Sequence, residues 1–222
     1  MNQELWTAVD EYFTKAFLPS DAALDNVLQA SEAAGLPPHH VAPNQGKLLQ
    51  LLSQIQGAKR ILEIGTLGGY STIWFARAVL PDGCVITLEV NPQYADIATY
   101  NIARAGLAEI VDIKVGTAID SIRQLVQLGV APFDVIFTDA DKPSNPEYLC
   151  ESLKLSHPGT IIIGDNVVRE GEVANAACSD PKVQGVRQFC DLISLEPRLS
   201  ATAIQTVGSK GYDGLVLARV MY

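Results

Sequence analysis

Cysteine and histidine are scarce, four and three among 222 residues, with no CxxC pair and no Cys/His cluster at ligand spacing. A zinc centre and a disulfide framework are both excluded on that ground, and reduced thiols in a cytoplasmic setting are expected. Positive charge is also short: 16 Lys and Arg stand against 25 Asp and Glu, a net charge of -9. No Lys/Arg stripe offsets the balance, so a nucleic-acid partner is not expected. No apolar run reaches the roughly 18 residues of a membrane span, and no membrane association is expected. The opening MNQELWTAVDEYFTKAF carries Glu4, Asp10 and Glu11 where a signal peptide would need a basic start and an unbroken apolar stretch. Repeats, low-complexity tracts and long linkers are absent as well. The expectation is one soluble domain over residues 1–222, with a helical region at 1–57 and an α/β core at 58–222.

What is present changes rhythm along the chain. Leu5, Val9, Tyr12, Phe13, Ala16 and Phe17 recur at helical spacing until Pro19, and Ser20-Asp21 then reads as a new N-cap. A second helix runs to Gly35, and a third over 44–56 places Leu48, Leu51, Leu52 and Ile55 on one face. From Arg60 onward, the β-rich runs RILEI, CVITLEV, IVDIKV, FDVIFTD and TIIIGD alternate with helical segments such as STIWFARAVL and PQYADIATYNIARAG. That alternation predicts a parallel sheet with helices on both faces. SATAIQTV and DGLVLARV are separated only by GSKGY, too short for a crossover helix, so this last pair must be antiparallel. The fold class is α/β: a Rossmann-like, doubly wound sheet, mostly parallel, with one reversed strand in a C-terminal hairpin and extra helices at the N-terminus.

Ligands of such sheets sit beyond the carboxyl ends of the strands. The first strand ends in LEIGTLGGYS, whose glycines 65, 68 and 69 permit a tight turn and close approach of a ligand to Gly65 and Thr66 before a helix opened by Ser71. The second ends at Glu89, which lies 24 positions (89 − 65) after Gly65. An acid roughly 20 residues on is placed to reach ribose hydroxyls. A dinucleotide fold would want GxGxxG, but Leu67 and Tyr70 stand at the second and third glycine places, and Glu63 would repel a pyrophosphate while attracting a sulfonium. S-adenosylmethionine (SAM) fits these features better than a nicotinamide dinucleotide.

Strand four ends in Asp139 and Asp141, and strand five in Asp165 and Asn166. Neighbouring strands lie about 4.8 Å apart, so these ends can meet around one ion. Carboxylate and amide oxygens are hard ligands that favour Mg²⁺, with Ca²⁺ or Mn²⁺ as alternatives. Taken singly, either acidic end would read as a helix cap or a turn. Lys142 follows Asp139 by three residues; a lysine held near a divalent cation has its charged form disfavoured and is suited to accept a proton.

VAPNQGKLL, ILEIGTLGGYS, ITLEVNP, FDVIFTDADK, IIIGDNVV and DGLVLARV together resemble the cation-dependent O-methyltransferases, catechol and caffeoyl-CoA O-methyltransferases among them, over nearly the whole chain and in a bacterial form. The resemblance implies Asp139, Asp165 and Asn166 as metal ligands and Lys142 as catalytic base, with Asp139 close to the methionine end of the cofactor. It also implies cofactor contacts at Val41, Glu63, Gly65, Ser71, Glu89 and Ala118, with Asp141 as a second cofactor-side acid. A homodimer is implied too, and so is a small catechol-like phenol as acceptor; a flavonoid or an acyl-CoA ester stays open. His39 and His40 stand where the family often has methionine, and PSNPEY replaces the usual sequence after DADK. The loop 167–185 is expected to close over the substrate. A SAM-binding sensor without turnover is the alternative reading, though it would need neither the metal set nor Lys142.

Overall fold

The computed structural model describes residues 2–222. Three helices come first: α1 (Gln3–Phe17), α2 (Ala22–Ala33) and α3 (Pro43–Gln56). Asn2 and Asp21 cap α1 and α2 through their side chains, while α3 opens on Pro43 and ends at Gly57 in the left-handed conformation. Strands and helices then alternate as β1 (Arg60–Ile64), α4 (Tyr70–Ala78), β2 (Cys84–Glu89), α5 (Pro92–Arg104), β3 (Val111–Val115), α6 (Ala118–Gln127), β4 (Phe133–Thr138), α7 (Asn145–Ser152) and β5 (Ser156–Asp165). α8 (Pro181–Leu195), β6 (Leu199–Gly208) and β7 (Gly211–Val220) complete the chain. Among the described residues no helix is long and apolar enough to cross a membrane.

The seven strands lie in the order β3-β2-β1-β4-β5-β7-β6. Strands β1 to β5 pair in parallel, and β7 runs antiparallel to both β5 and β6, so one strand is reversed as the short GSKGY connection requires. Alternate residues of β1 feed opposite faces. Ile61 packs with Leu49, Ile73, Phe75 and Ile102 from α3, α4 and α5, whereas Leu62 and Ile64 pack with Ile122, Leu149, Val186 and Phe189 from α6, α7 and α8. Both faces are therefore dry.

The chain progression reverses between β1 and β4, where Ile64 lies beside Thr138, and Thr138 in turn lies beside Gly164. That register sets the residues following β1, β4 and β5 side by side at one edge, the usual place for a ligand in an open α/β sheet.

Two segments differ from the sequence expectation. β5 begins at Ser156, four residues earlier than the TIIIGD run, because Thr160 donates its hydroxyl to Phe133 O (2.7 Å) across a register irregularity and keeps the strand paired. The loop expected over 167–185 stops at Asp180. Asp180 accepts the Lys182 amide (2.7 Å) and Pro181 takes the first helical position, so α8 starts there.

Candidate active site

The turn after β1 is built for close approach. Gly65 adopts φ +102, and a Cβ there would lie 2.3 Å from Asp139 O, so the loops after β1 and β4 touch backbone to backbone. Leu67 (φ 50) and Gly69 (φ 83) continue the left-handed turn into α4. Asn101 of α5 donates to Gly68 O (2.9 Å) and pins the loop from the far side. Asn101 was not singled out by its sequence position, because a polar residue on an amphipathic helix carries no signal of a long-range contact.

Glu89 is buried, and its two oxygens accept the Leu67 amide (2.8 Å) and the Asn91 amide (2.9 Å). The acid at the end of β2 is thus oriented by the glycine turn itself. Glu63 is fully buried and accepts hydrogen bonds from Ser71 Oγ (2.5 Å), Thr87 Oγ1 (2.7 Å) and the Thr72 hydroxyl. Burial pushes its carboxyl up to about 7, held back by the three hydroxyl donors and raised a little further by the charge of Asp139. Thr66 is buried with its hydroxyl 2.6 Å from that of Thr87. Val41 lies buried against the α3/α4 face, and Ala118 opens α6 behind the Thr117 cap. Gly65, Thr66, Ser71, Glu63 and Glu89 form one continuous patch over the ends of β1 and β2.

Asp139 Oδ1 accepts Lys142 Nζ at 2.9 Å, and the Lys142 side chain is only 7% exposed. Lys142 sits on a short 3-10 turn, 142–144, capped by Asp141. Asp141 accepts the Ser144 amide (3.2 Å), the Ser144 hydroxyl (2.5 Å) and the Tyr148 hydroxyl. All these partners lie on the Lys142 turn or on α7, so Asp141 holds the lysine's support.

At the neighbouring strand end, Asp165 is 4% exposed. Its Oδ1 accepts the Asn166 amide (2.8 Å) and its Oδ2 accepts Gln45 Nε2 (2.7 Å). Burial and the charge of Asp139 push the Asp165 carboxyl up, with Lys142 acting in the opposite sense. Asn166 adopts φ 55, a left-handed conformation uncommon for a residue other than glycine. The carboxylates of Asp139 and Asp165, next to the amide oxygen of Asn166, are a donor set suited to a hard divalent cation. Among the described residues no three His, Cys, Asp or Glu side chains gather around a possible ion, so such a site would depend on Asn166 and on water to complete its shell.

Beyond Asp165 and Asn166 opens a cavity of about 510 Å³ whose walls include Gln45, Leu48, Val183 and Tyr212. Asp10 of α1 and the 208–212 hairpin tip also border it. Asp10 Oδ2 accepts the Ser209 amide (2.7 Å), and Asp213 accepts the amides of Val168 (2.9 Å) and Arg169 (3.0 Å), tying the loop after β5 to β7. His40 is half-buried against Tyr70, ring centroids 5.5 Å apart, and burial together with the Lys210 charge lowers its pKa to about 4, so it is neutral. His39 is exposed.

A family model described as O-methyltransferase matches residues 19–221. A catechol O-methyltransferase of Niastella koreensis is 48% identical over 99% of this chain and 100% of that protein. Among solved structures, an O-methyltransferase from Bacillus cereus in complex with SAH superposes with a TM-score of 0.97 at 58% identity, over 98% of this chain and 99% of that one. TomG from Streptomyces achromogenes, an O-methyltransferase of tomaymycin synthesis in complex with SAM, gives a TM-score of 0.96 at 47% identity, with each chain fully covered (100%). With a matched model over most of its length and relatives this similar, the chain belongs to the O-methyltransferase family.

Proposed function

We propose that this O-methyltransferase takes the methyl group of S-adenosylmethionine and, with a divalent cation, delivers it to one hydroxyl of a small catechol-like phenol. The observation that carries the reading is the contact between two half-sites: the Gly65 turn meets Asp139 O, and Asp139 in turn holds Lys142. That contact supports a cofactor turn and an acid/base cluster acting in direct succession. Relatives whose structures hold SAH or SAM support the choice of cofactor, and a catechol O-methyltransferase at 48% identity supports the acceptor class.

Glu89, already oriented by two backbone amides, keeps lone pairs for the ribose hydroxyls, while Val41, Gly65, Thr66, Ser71 and Ala118 border the cofactor and Glu63 holds the Ser71 hydroxyl behind it. Asp139, Asp165 and Asn166 would hold Mg²⁺, or Ca²⁺ or Mn²⁺, whose contribution is to acidify a coordinated phenol and fix its orientation. Lys142 Nζ takes the phenolic proton, and Asp139 accepts a hydrogen bond from the resulting ammonium. Transfer is an in-line displacement at the sulfonium methyl, in which positioning supplies much of the acceleration. The cavity beyond Asp165 accommodates the rest of the acceptor.

α1 buries none of its residues, and Leu5, Tyr12 and Phe17 are 54%, 68% and 68% exposed, which supports a homodimer that covers this stripe. Four free thiols support a reducing, cytoplasmic setting. The test is mass-spectrometric detection of a methylated product from SAM and a panel of catechols, with Mg²⁺ and again with chelator. Metal-dependent product is expected. Tight SAM binding without any product across the panel would instead favour a sensor.

A further inference from the structure

We infer that Gln45 is a positioning residue for Asp165, holding the carboxylate plane in the orientation a divalent cation needs; this rests on the metal reading above. The Asp165 carboxylate receives one donor on each oxygen. Asn166 N reaches Oδ1 at 2.8 Å from the strand end itself, and Gln45 Nε2 reaches Oδ2 at 2.7 Å from α3. Two donors from separate elements stop rotation about the side-chain bond that a single donor would leave free.

Gln45 is itself fixed by its neighbours. Asn44 Nδ2 donates to Asp10 O (3.3 Å), and a Cβ on Gly46 would lie 2.4 Å from Trp74 Nε1, so the first turn of α3 sits hard against the α4 indole. The Gln45 amide therefore projects from a rigid base. Groups that orient a metal ligand from outside the coordination shell are worth about 10–100-fold in metal affinity.

Mn²⁺ is titrated into the full-length protein and into Gln45→Leu and Gln45→Ala variants, with free Mn²⁺ followed by electron paramagnetic resonance. SAH binding is measured on the same samples by calorimetry. The expected result is Mn²⁺ binding weakened about 10–100-fold in both variants with SAH affinity unchanged within a factor of about two. Wild-type Mn²⁺ affinity in both variants would overturn the inference. So would joint loss of Mn²⁺ and SAH binding in both, which would make Gln45 a general support of the fold. A wild-type protein that binds SAH but no Mn²⁺ would remove the metal reading itself, and the inference with it.

Discussion

Gly185 of α8 lies directly against the backbone of Lys142: a Cβ at position 185 would come within 2.2 Å of Lys142 O. The helix surface on which the lysine's turn rests is thus defined by the absence of one methyl group. Gly185→Ala should push the 142–144 turn outward, at a cost of about 1–3 kcal/mol in stability. Turnover should fall at least about tenfold, because displacements near 1 Å at a positioned group are costly. Thermal melts and initial rates on the same preparation check both effects; unchanged turnover would mean the turn tolerates the shift.

Lys142 is buried and held by Asp139, and none of the hydrogen bonds of Glu63, Thr66 and Glu89 over β1 and β2 runs through it. Lys142→Ala is expected to reduce kcat by about 10²–10⁴, the usual contribution of a positioned general base. SAM affinity by calorimetry should stay within a few-fold of wild type. A variant that loses SAM binding instead would show that the lysine acts on the cofactor and not on the acceptor.

Asp165→Ala removes one of the two carboxylates at the strand ends. Activity should disappear and stay absent at any Mg²⁺ concentration, while wild-type activity disappears only on chelation. Full wild-type activity in chelator would end the metal assignment, whatever the variant does.

At the opposite edge of the sheet, His157 places Nε2 2.9 Å from Asp134 Oδ1 and Nδ1 2.8 Å from Pro158 O. Both partners are acceptors, so the doubly protonated imidazolium is favoured: the Pro158 carbonyl acts most strongly to raise the pKa, burial opposes it, and the Asp134 carboxylate adds to the rise, leaving the pKa above its usual value. A raised folded-state pKa means the contribution is complete below the ordinary histidine value and is lost as pH rises through the elevated one. The ring is partly exposed, which limits the pair to roughly 0.2–1 kcal/mol after screening. The melting temperature of wild type relative to His157→Gln should be higher at pH 5.5 than at pH 8.5, by up to about 2–4 °C for a chain of this size. An equal gap at both pH values would show that the imidazole is neutral throughout.

The strand runs and the acids at the strand ends were legible because each depends on local spelling: a β-branched run that stops in Asp or Glu announces both the strand and the group it presents. Asp139, Asp165 and Glu89 needed only that. Asp141 was visible as an acid, but its attachment to Ser144 and Tyr148 was not, since it depends on where α7 starts. Gln45 and Gly185 were harder still. Their partners are 120 residues away for Gln45, and backbone rather than side chain for Gly185, so neither leaves a periodic or compositional trace. The start of α8 was readable, with Asp180 as cap and Pro181 at the first position, and the expected loop overran it because the preceding small and polar residues resemble one long connection.

The reversal of strand progression between β1 and β4 divides labour across the molecule. Glu63, Gly65, Thr66, Ser71 and Glu89 hang on β1, β2 and α4, against the interior of the sheet, where a change disturbs two dry faces. The outer walls of the cavity beyond Asp165 come instead from α1, the loop after β5 and the tip of the β6/β7 hairpin, segments that are largely exposed and joined by a few hydrogen bonds such as Asp10 to Ser209. Natural variation and deliberate recombination can therefore exchange the periphery while the interior stays constant. One methyl-transfer engine could then be matched to many acceptors by replacing exposed segments at its rim.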